Sequence, residues 1–237
     1  KRNRDAIFRK KNNMKVILLG SSGLVGSHIL DLLCRDKRIE KVYCLVRRSL
    51  HIEHNKVEEL IVDFESETNF PLVKASVLFV AFGTTLSKAG NKENQFKIDV
   101  DIPSRVMKWA AACGVNKCAL VSALGVSKRS PFFYSRMKAE LDERAKQIGF
   151  QQLVLIKPSV LAGERKENRI GEKIGIVLGD LVGKTGWINS YKPVHARKVA
   201  AALIGQILNS ETEYEEIPSA KIPLLSDHYF ESIEGKK

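Results

Sequence analysis

The stretch Met14–Gly26, Met-Lys-Val-Ile-Leu-Leu-Gly-Ser-Ser-Gly-Leu-Val-Gly, constrains this chain more than any other. Val16, Ile17, Leu18 and Leu19 form an unbroken apolar run of strand length, which suits a parallel strand buried on both faces. The run stops at Gly20. Gly20, Gly23 and Gly26 then recur at every third position, and Ile29, Leu32 and Leu33 follow at helical spacing. Strand, glycine turn and helix in that order bring unpaired first-turn N–H groups and the positive end of a helix dipole to a place that a phosphate can approach. Three glycines mean little by themselves in a chain that has 16. Between a buried strand and an amphipathic helix they point to a dinucleotide, cradled by Gly20, Ser22, Gly23, Leu24, Val25 and Gly26.

A chain of 237 residues is long enough for one large α/β domain with a full core. No apolar run reaches the length of a membrane span, and the charged N-terminus has no apolar segment of the secretory type. Cys34, Cys44, Cys113 and Cys118 lack the pairing of a metal site and read as buried, reduced thiols of a cytoplasmic protein. No metal is expected. The formal net charge is +12, and Lys1, Arg2, Arg4, Arg9, Lys10 and Lys11 crowd into the first residues. Such a run attracts nucleic acid or anionic lipid in a sequence-blind way, but no groove-reading motif accompanies it. Residues 1–13 are read as a solvated basic leader, without a specific nucleic-acid partner, and 14–237 as the domain.

Lys41–Val46 reads as a second strand, followed directly by Arg47 and Arg48. At the end of a second strand an acid would accept from a ribose 2′-hydroxyl, whereas arginine neutralises a 2′-phosphate, so NADP(H) is expected over NAD(H). Leu60–Asp63 is a short third strand that brings Asp63, with Phe64 after it, to where an adenine amino group could donate. Val77–Phe82 is the fourth strand and ends in Gly83 and Thr84, where a missing Cβ lets a ligand close; the alternative for Thr84 and Thr85 is a helix cap. Lys88–Lys97 reads as loop, Asp101–Ala112 as helix, Lys117–Val121 as a strand ending at Ser122, Tyr134–Ile148 as helix and Leu153–Ile156 as a sixth strand. Strands alternating with helices imply a Rossmann-type, doubly wound parallel sheet. Residues 163–191, rich in glycine and lysine with a helical piece at 174–181, read as a flap over a small-molecule substrate. Pro193–Leu208 reads as the last strong helix, and 217–237 is too irregular to assign.

Tyr134 and Lys138 lie four apart on a helix and share a face. Opposite charges about 4 Å apart interact by roughly 4 kcal/mol at an effective dielectric near 20, about three pKa units. On that reading the lysine draws the phenol toward neutrality, where it exchanges a proton, and Ser122 holds a carbonyl oxygen beside it.

Gly20-x-x-Gly23-x-x-Gly26, Ser122 and Tyr134-x-x-x-Lys138 together resemble an atypical or extended short-chain dehydrogenase/reductase, from about Met14 to Asn209. Ala-Phe-Gly-Thr-Thr at 81–85 with Lys88-Ala89-Gly90, Phe132-Phe133-Tyr134, and Lys-Pro-Ser-Val-Leu at 157–161 look most like the HIV Tat-interacting oxidoreductase-like proteins. The resemblance implies a Rossmann fold with NADPH as ligand. It implies that Tyr134 donates a proton, Lys138 serves the tyrosine and the nicotinamide ribose, Ser122 meets the substrate oxygen, Asp63 the adenine, and Pro158 the carboxamide. Asp99 stands where these enzymes usually have a neutral asparagine. The expected activity is hydride transfer to a carbonyl compound; the alternative is a non-enzymatic NADPH sensor with a regulatory protein partner.

Overall fold

The computed structural model describes residues 13–66, 70–162 and 192–234. Seven strands form one sheet: β1 (Met14–Leu19), β2 (Ile39–Val46), β3 (Val57–Ile61), β4 (Val77–Val80), β5 (Lys117–Val121), β6 (Gln152–Lys157) and β9 (Tyr214–Pro218). Their order is β3-β2-β1-β4-β5-β6-β9, and every pairing is parallel. Alternate side chains of β1 therefore serve opposite layers. Val16 and Leu18 pack with α1 (Leu24–Arg35) and α6 (Ala196–Asn209), while Ile17 and Leu19 pack with α4 (Ile102–Ala112) and α5 (Phe133–Ile148). All four are fully buried, as a strand covered on both faces requires. The chain is thus the doubly wound sheet expected, with the order reversing between β1 and β4, where such sheets bind ligands.

Several elements differ from the sequence reading. The third strand begins earlier, at Val57, because β2 offers its ladder to Val57–Ile61 and Val62 still donates to the Val46 carbonyl at 2.9 Å. Much of the expected loop 88–97 is helical. Thr85 caps α2 (Leu86–Ala89) and Asn91 caps α3 (Lys92–Phe96), so local side-chain oxygens hold helices too short for periodicity to show. A π-helical turn, Lys97–Asp101, follows and leads into α4. Val194–His195 (β8) pairs with Leu161–Ala162 (β7) before α6 begins.

The unassigned stretch 217–237 supplies the end of β9 and the whole of α7 (Ile222–Glu234). α7 packs closely on α6: a Cβ on Gly205 would lie 3.0 Å from Tyr229 Cβ. The Tyr229 hydroxyl donates to buried Asp36 at 3.2 Å. The supposed flap at 163–191 and nearly all of the basic leader lie outside the described residues. All four cysteines are free; Cys44 and Cys118 are buried, but Cys34 and Cys113 are only partly so.

Candidate functional site

The β1–α1 turn brings backbone against backbone. Gly20 has φ +97°, and a Cβ there would sit 2.4 Å from the Ala81 carbonyl oxygen, so the turn lies hard against the end of β4. A Cβ on Gly26 would fall 1.9 Å from the Gly20 oxygen, so only glycine lets α1 start this close to the strand. Gly23 is the N-cap residue and supplies no side-chain cap, and α1 has no acidic residue in its first turn. The first-turn amides, including those of Leu24 and Val25, have no intrahelical partner and form the positive end of the helix dipole. The glycines thus let the turn close against β4 and against the start of α1, which leaves the first-turn amides as a cradle available to an anion such as a pyrophosphate. Ser22 is exposed on the same turn.

On one side of the cradle, Arg47 and Arg48 are both exposed directly after β2. Asp63 is exposed, and its carboxylate accepts from the Glu65 amide at 2.9 Å. Phe64 is buried against Phe82, its ring 5.7 Å away, and its carbonyl accepts from Arg105. On the other side, the Thr84 amide donates to Asp99 Oδ1 at 2.7 Å, and a Cβ on Gly83 would meet Asp99 Oδ2 at 2.9 Å. Gly83 and Thr84 therefore form the seat of a carboxylate delivered by the π-helical turn. Such turns are rare and recur at functional sites. Thr85, not Thr84, is the helix cap.

Ser122 leaves β5 with its amide bonded to the Ile156 carbonyl, and its Oγ donates to Asp142 Oδ2 at 2.9 Å. Asp142, which the sequence reading missed, is 3 % exposed and lies four residues past Lys138, on the face of α5 that carries Tyr134 and Lys138. That spacing was the only signal in the sequence, and acids are common on helix faces. Its Oδ1 is buried without a partner, and Lys157 Nζ stands 3.7 Å from its Oδ2. Lys138 is buried, with Nζ donating to the Val121 carbonyl at 3.3 Å. Pro158 is buried after β6, and its carbonyl accepts from Leu124 to hold the loop after Ser122 in place.

Two sequence expectations change here. Tyr134 is 40 % exposed as a residue, but desolvation at its hydroxyl, with the Asp99 and Asp142 carboxylates, pushes the phenol above its usual range, so it is not drawn toward neutrality. Lys138 acts electrostatically on both carboxylates instead. The Ser122 proton, expected to face a carbonyl, is committed to Asp142.

Burial raises the Asp99 carboxyl to about 6, against the opposing pull of Lys138 and the Thr84 amide. The folded state therefore holds this proton more tightly than the unfolded chain does. Stability gained at this site is complete below about pH 4 and is lost as pH rises through about 6, a difference of roughly 3 kcal/mol. Asp99→Asn is expected to be more stable than the parent at about pH 8 by up to that amount, with the gap closing by about pH 4. Urea unfolding of both chains across the range measures it; a gap independent of pH refutes the assignment.

No protein-family model matches the chain. Among solved structures, MoeE5 in complex with UDP-glucose and NAD has a TM-score of 0.65, covering 90 % of this chain and 81 % of that one at 16 % identity. A short-chain dehydrogenase/reductase superfamily protein from Agrobacterium tumefaciens with bound NAD gives 0.63, covering 86 % and 77 % at 14 % identity. The fold is the Rossmann-type α/β fold of these structures.

Sequence relatives narrow this. Protein fmp52 of Aspergillus niger is 33 % identical over 177 residues, covering 71 % of this chain and 76 % of the relative. FMP52 of Eremothecium gossypii is 32 % identical over 216 residues, covering 88 % and 96 %. The chain belongs to the Fmp52 family. Both relatives are named as mitochondrial, which overturns the expectation of a cytoplasmic protein.

Proposed function

We propose that the chain is a mitochondrial, NADP(H)-dependent oxidoreductase acting on a carbonyl-type small molecule. The observation that carries the reading is the turn itself: glycines packed backbone to backbone against β4 start α1 with no side-chain cap and no acidic residue on its first-turn amides. In this reading Gly20, Ser22, Gly23, Leu24, Val25 and Gly26 hold the pyrophosphate, Asp63 and Phe64 the adenine, and Gly83, Thr84, Lys138 and Pro158 the nicotinamide half. When bound, the nicotinamide supplies a hydride. Tyr134, kept protonated by its surroundings, gives the proton to the oxygen, so a carbonyl leaves as an alcohol. The motifs shared with the HIV Tat-interacting oxidoreductase-like proteins and the NAD complexes of the fold neighbours support this reading.

The commitment of Ser122 to Asp142 favours a second reading, in which the chain binds the nucleotide without turnover and signals through a protein partner.

Titration of NADPH and NADH tests the first reading. Arg47 and Arg48 together are expected to favour NADPH, and replacing both with alanine to weaken it about 30-fold without affecting NADH, since a charge-assisted contact contributes about 2 kcal/mol. Equal affinities in the parent chain remove the 2′-phosphate role. No binding of any nicotinamide nucleotide refutes the proposal. Fractionation of cells expressing the tagged protein tests its place in mitochondria.

A further inference from the structure

The charges around Lys138 do not balance. Asp99 is 2 % exposed, Lys138 4 % and Asp142 3 %, so these groups interact without the screening of bulk water. The other cation beside Asp142, Lys157, is held at 2.5 Å by Glu216. Glu216 is also met at 3.6 Å by Lys146, which Glu143 holds at 3.0 Å, so four carboxylates face three ammonium groups along this network and one negative charge is in excess.

The position of that charge matters if the nucleotide lies as proposed, a reading on which this inference rests. With the pyrophosphate at the α1 cradle, the adenosine half extends toward Arg47, Arg48 and Asp63 at the ends of β2 and β3. The other half then crosses the ends of β4 and β5, where Gly83, Thr84 and Ser122 border the cluster. The two redox forms of nicotinamide differ by one charge: the oxidised ring is a cation and the reduced ring is neutral. A buried negative excess attracts only the first.

We propose that the Asp99–Lys138–Asp142 cluster makes this site select the oxidised over the reduced nicotinamide nucleotide, with Asp99 as the specificity-determining carboxylate. Asp99 is singled out because it lies against the Gly83 and Thr84 backbone after β4, the part of the cluster nearest the proposed nucleotide path. An asparagine in its place keeps an oxygen to accept from the Thr84 amide but brings no charge. The groups that face Asp99 are Lys138 and Tyr134 from α5 and the Thr84 amide from the loop after β4. Protonation near pH 6 cancels its contribution.

Equilibrium titrations of the oxidised and reduced forms of both nucleotides, at about pH 8 and about pH 5, test the proposal without turnover. The ratio of oxidised to reduced affinity is used at each pH, so that protonation of a 2′-phosphate common to both forms cancels. At the higher pH the ratio in the parent chain is expected to exceed that in Asp99→Asn by roughly tenfold. It falls toward the variant's value at the lower pH, while the variant's own ratio stays level. Asp142→Asn, a second variant, lowers the ratio in the same direction. Equal ratios in the parent and Asp99→Asn overturn the proposal, as does a preference for the reduced form at the higher pH. Absence of binding by either form refutes the nucleotide-binding reading instead, before any ratio can be taken.

Discussion

Replacing Tyr134 with phenylalanine is expected to lower NADPH-dependent turnover of a carbonyl substrate by about 10²–10⁴-fold, the usual contribution of a positioned proton donor. Nucleotide affinity is expected to stay unchanged, because on the proposed reading the phenol meets the reacting oxygen and not the cofactor. The pH profile distinguishes this site from one in which lysine acidifies the tyrosine. Desolvation at the hydroxyl and the carboxylates of Asp99 and Asp142 keep the Tyr134 proton in place beyond the ordinary phenol range, although the residue as a whole is partly exposed. The donor therefore remains loaded across the neutral and mildly alkaline range, and the rate should show no alkaline decline there from loss of this proton. A screen of aldehydes, ketones and quinones with the parent chain and Tyr134→Phe decides the matter. Undiminished turnover in the variant would remove Tyr134 from the chemistry. Tight nucleotide binding with no turnover in the parent would leave the non-enzymatic reading.

What could be read from the sequence was what local patterning determines. The β1 run, the three glycines, the strand that ends at Ser122 and the face shared by Tyr134 and Lys138 are all properties of short segments. What makes this site unlike a simple tyrosine–lysine pair is not local. Ser122 and Asp142 are 20 residues apart and meet only because α5 packs beside β5. Asp99 was visible as a departure from the expected asparagine. Its burial against Thr84 depends on a π-helical turn that no hydrophobic period announces. The inference that Lys138 would acidify Tyr134 failed for the same reason, since two distant carboxylates take up the effect of the ammonium. The C-terminus repeats the point. Ile222, Leu225, Tyr229 and Ile233 have helical spacing, but Pro223 obscures it, and the contacts that hold the helix reach back to Gly205 and Asp36.

Gly26→Ala is expected to damage both the fold and the cradle. The added Cβ would stand 1.9 Å from the Gly20 oxygen, 2.7 Å from its carbonyl carbon and 3.3 Å from the Ser21 nitrogen. All of these are backbone atoms, so no side chain can swing aside, and the N-terminal end of α1 must move away from the turn. That helix buries Ile29, Leu32 and Leu33 almost completely against the sheet, so the displacement disturbs a packed core. Overpacking of this kind costs about 3 kcal/mol, equivalent to a fall in Tm of roughly 6–12 °C for a chain of this size. Nucleotide affinity should fall further than stability alone accounts for, by about 100-fold or more, because the amides that would meet the pyrophosphate move with the helix. Gly23→Ala serves as the graded control. Its Cβ would come within 3.2 Å of the Gly20 oxygen, a contact that a shift of a few tenths of an ångström relieves, so a smaller loss of both properties is expected. Thermal unfolding and NADPH titration of the two variants separate the effects. If Gly26→Ala binds NADPH as the parent does, the α1 amides are not where the pyrophosphate rests.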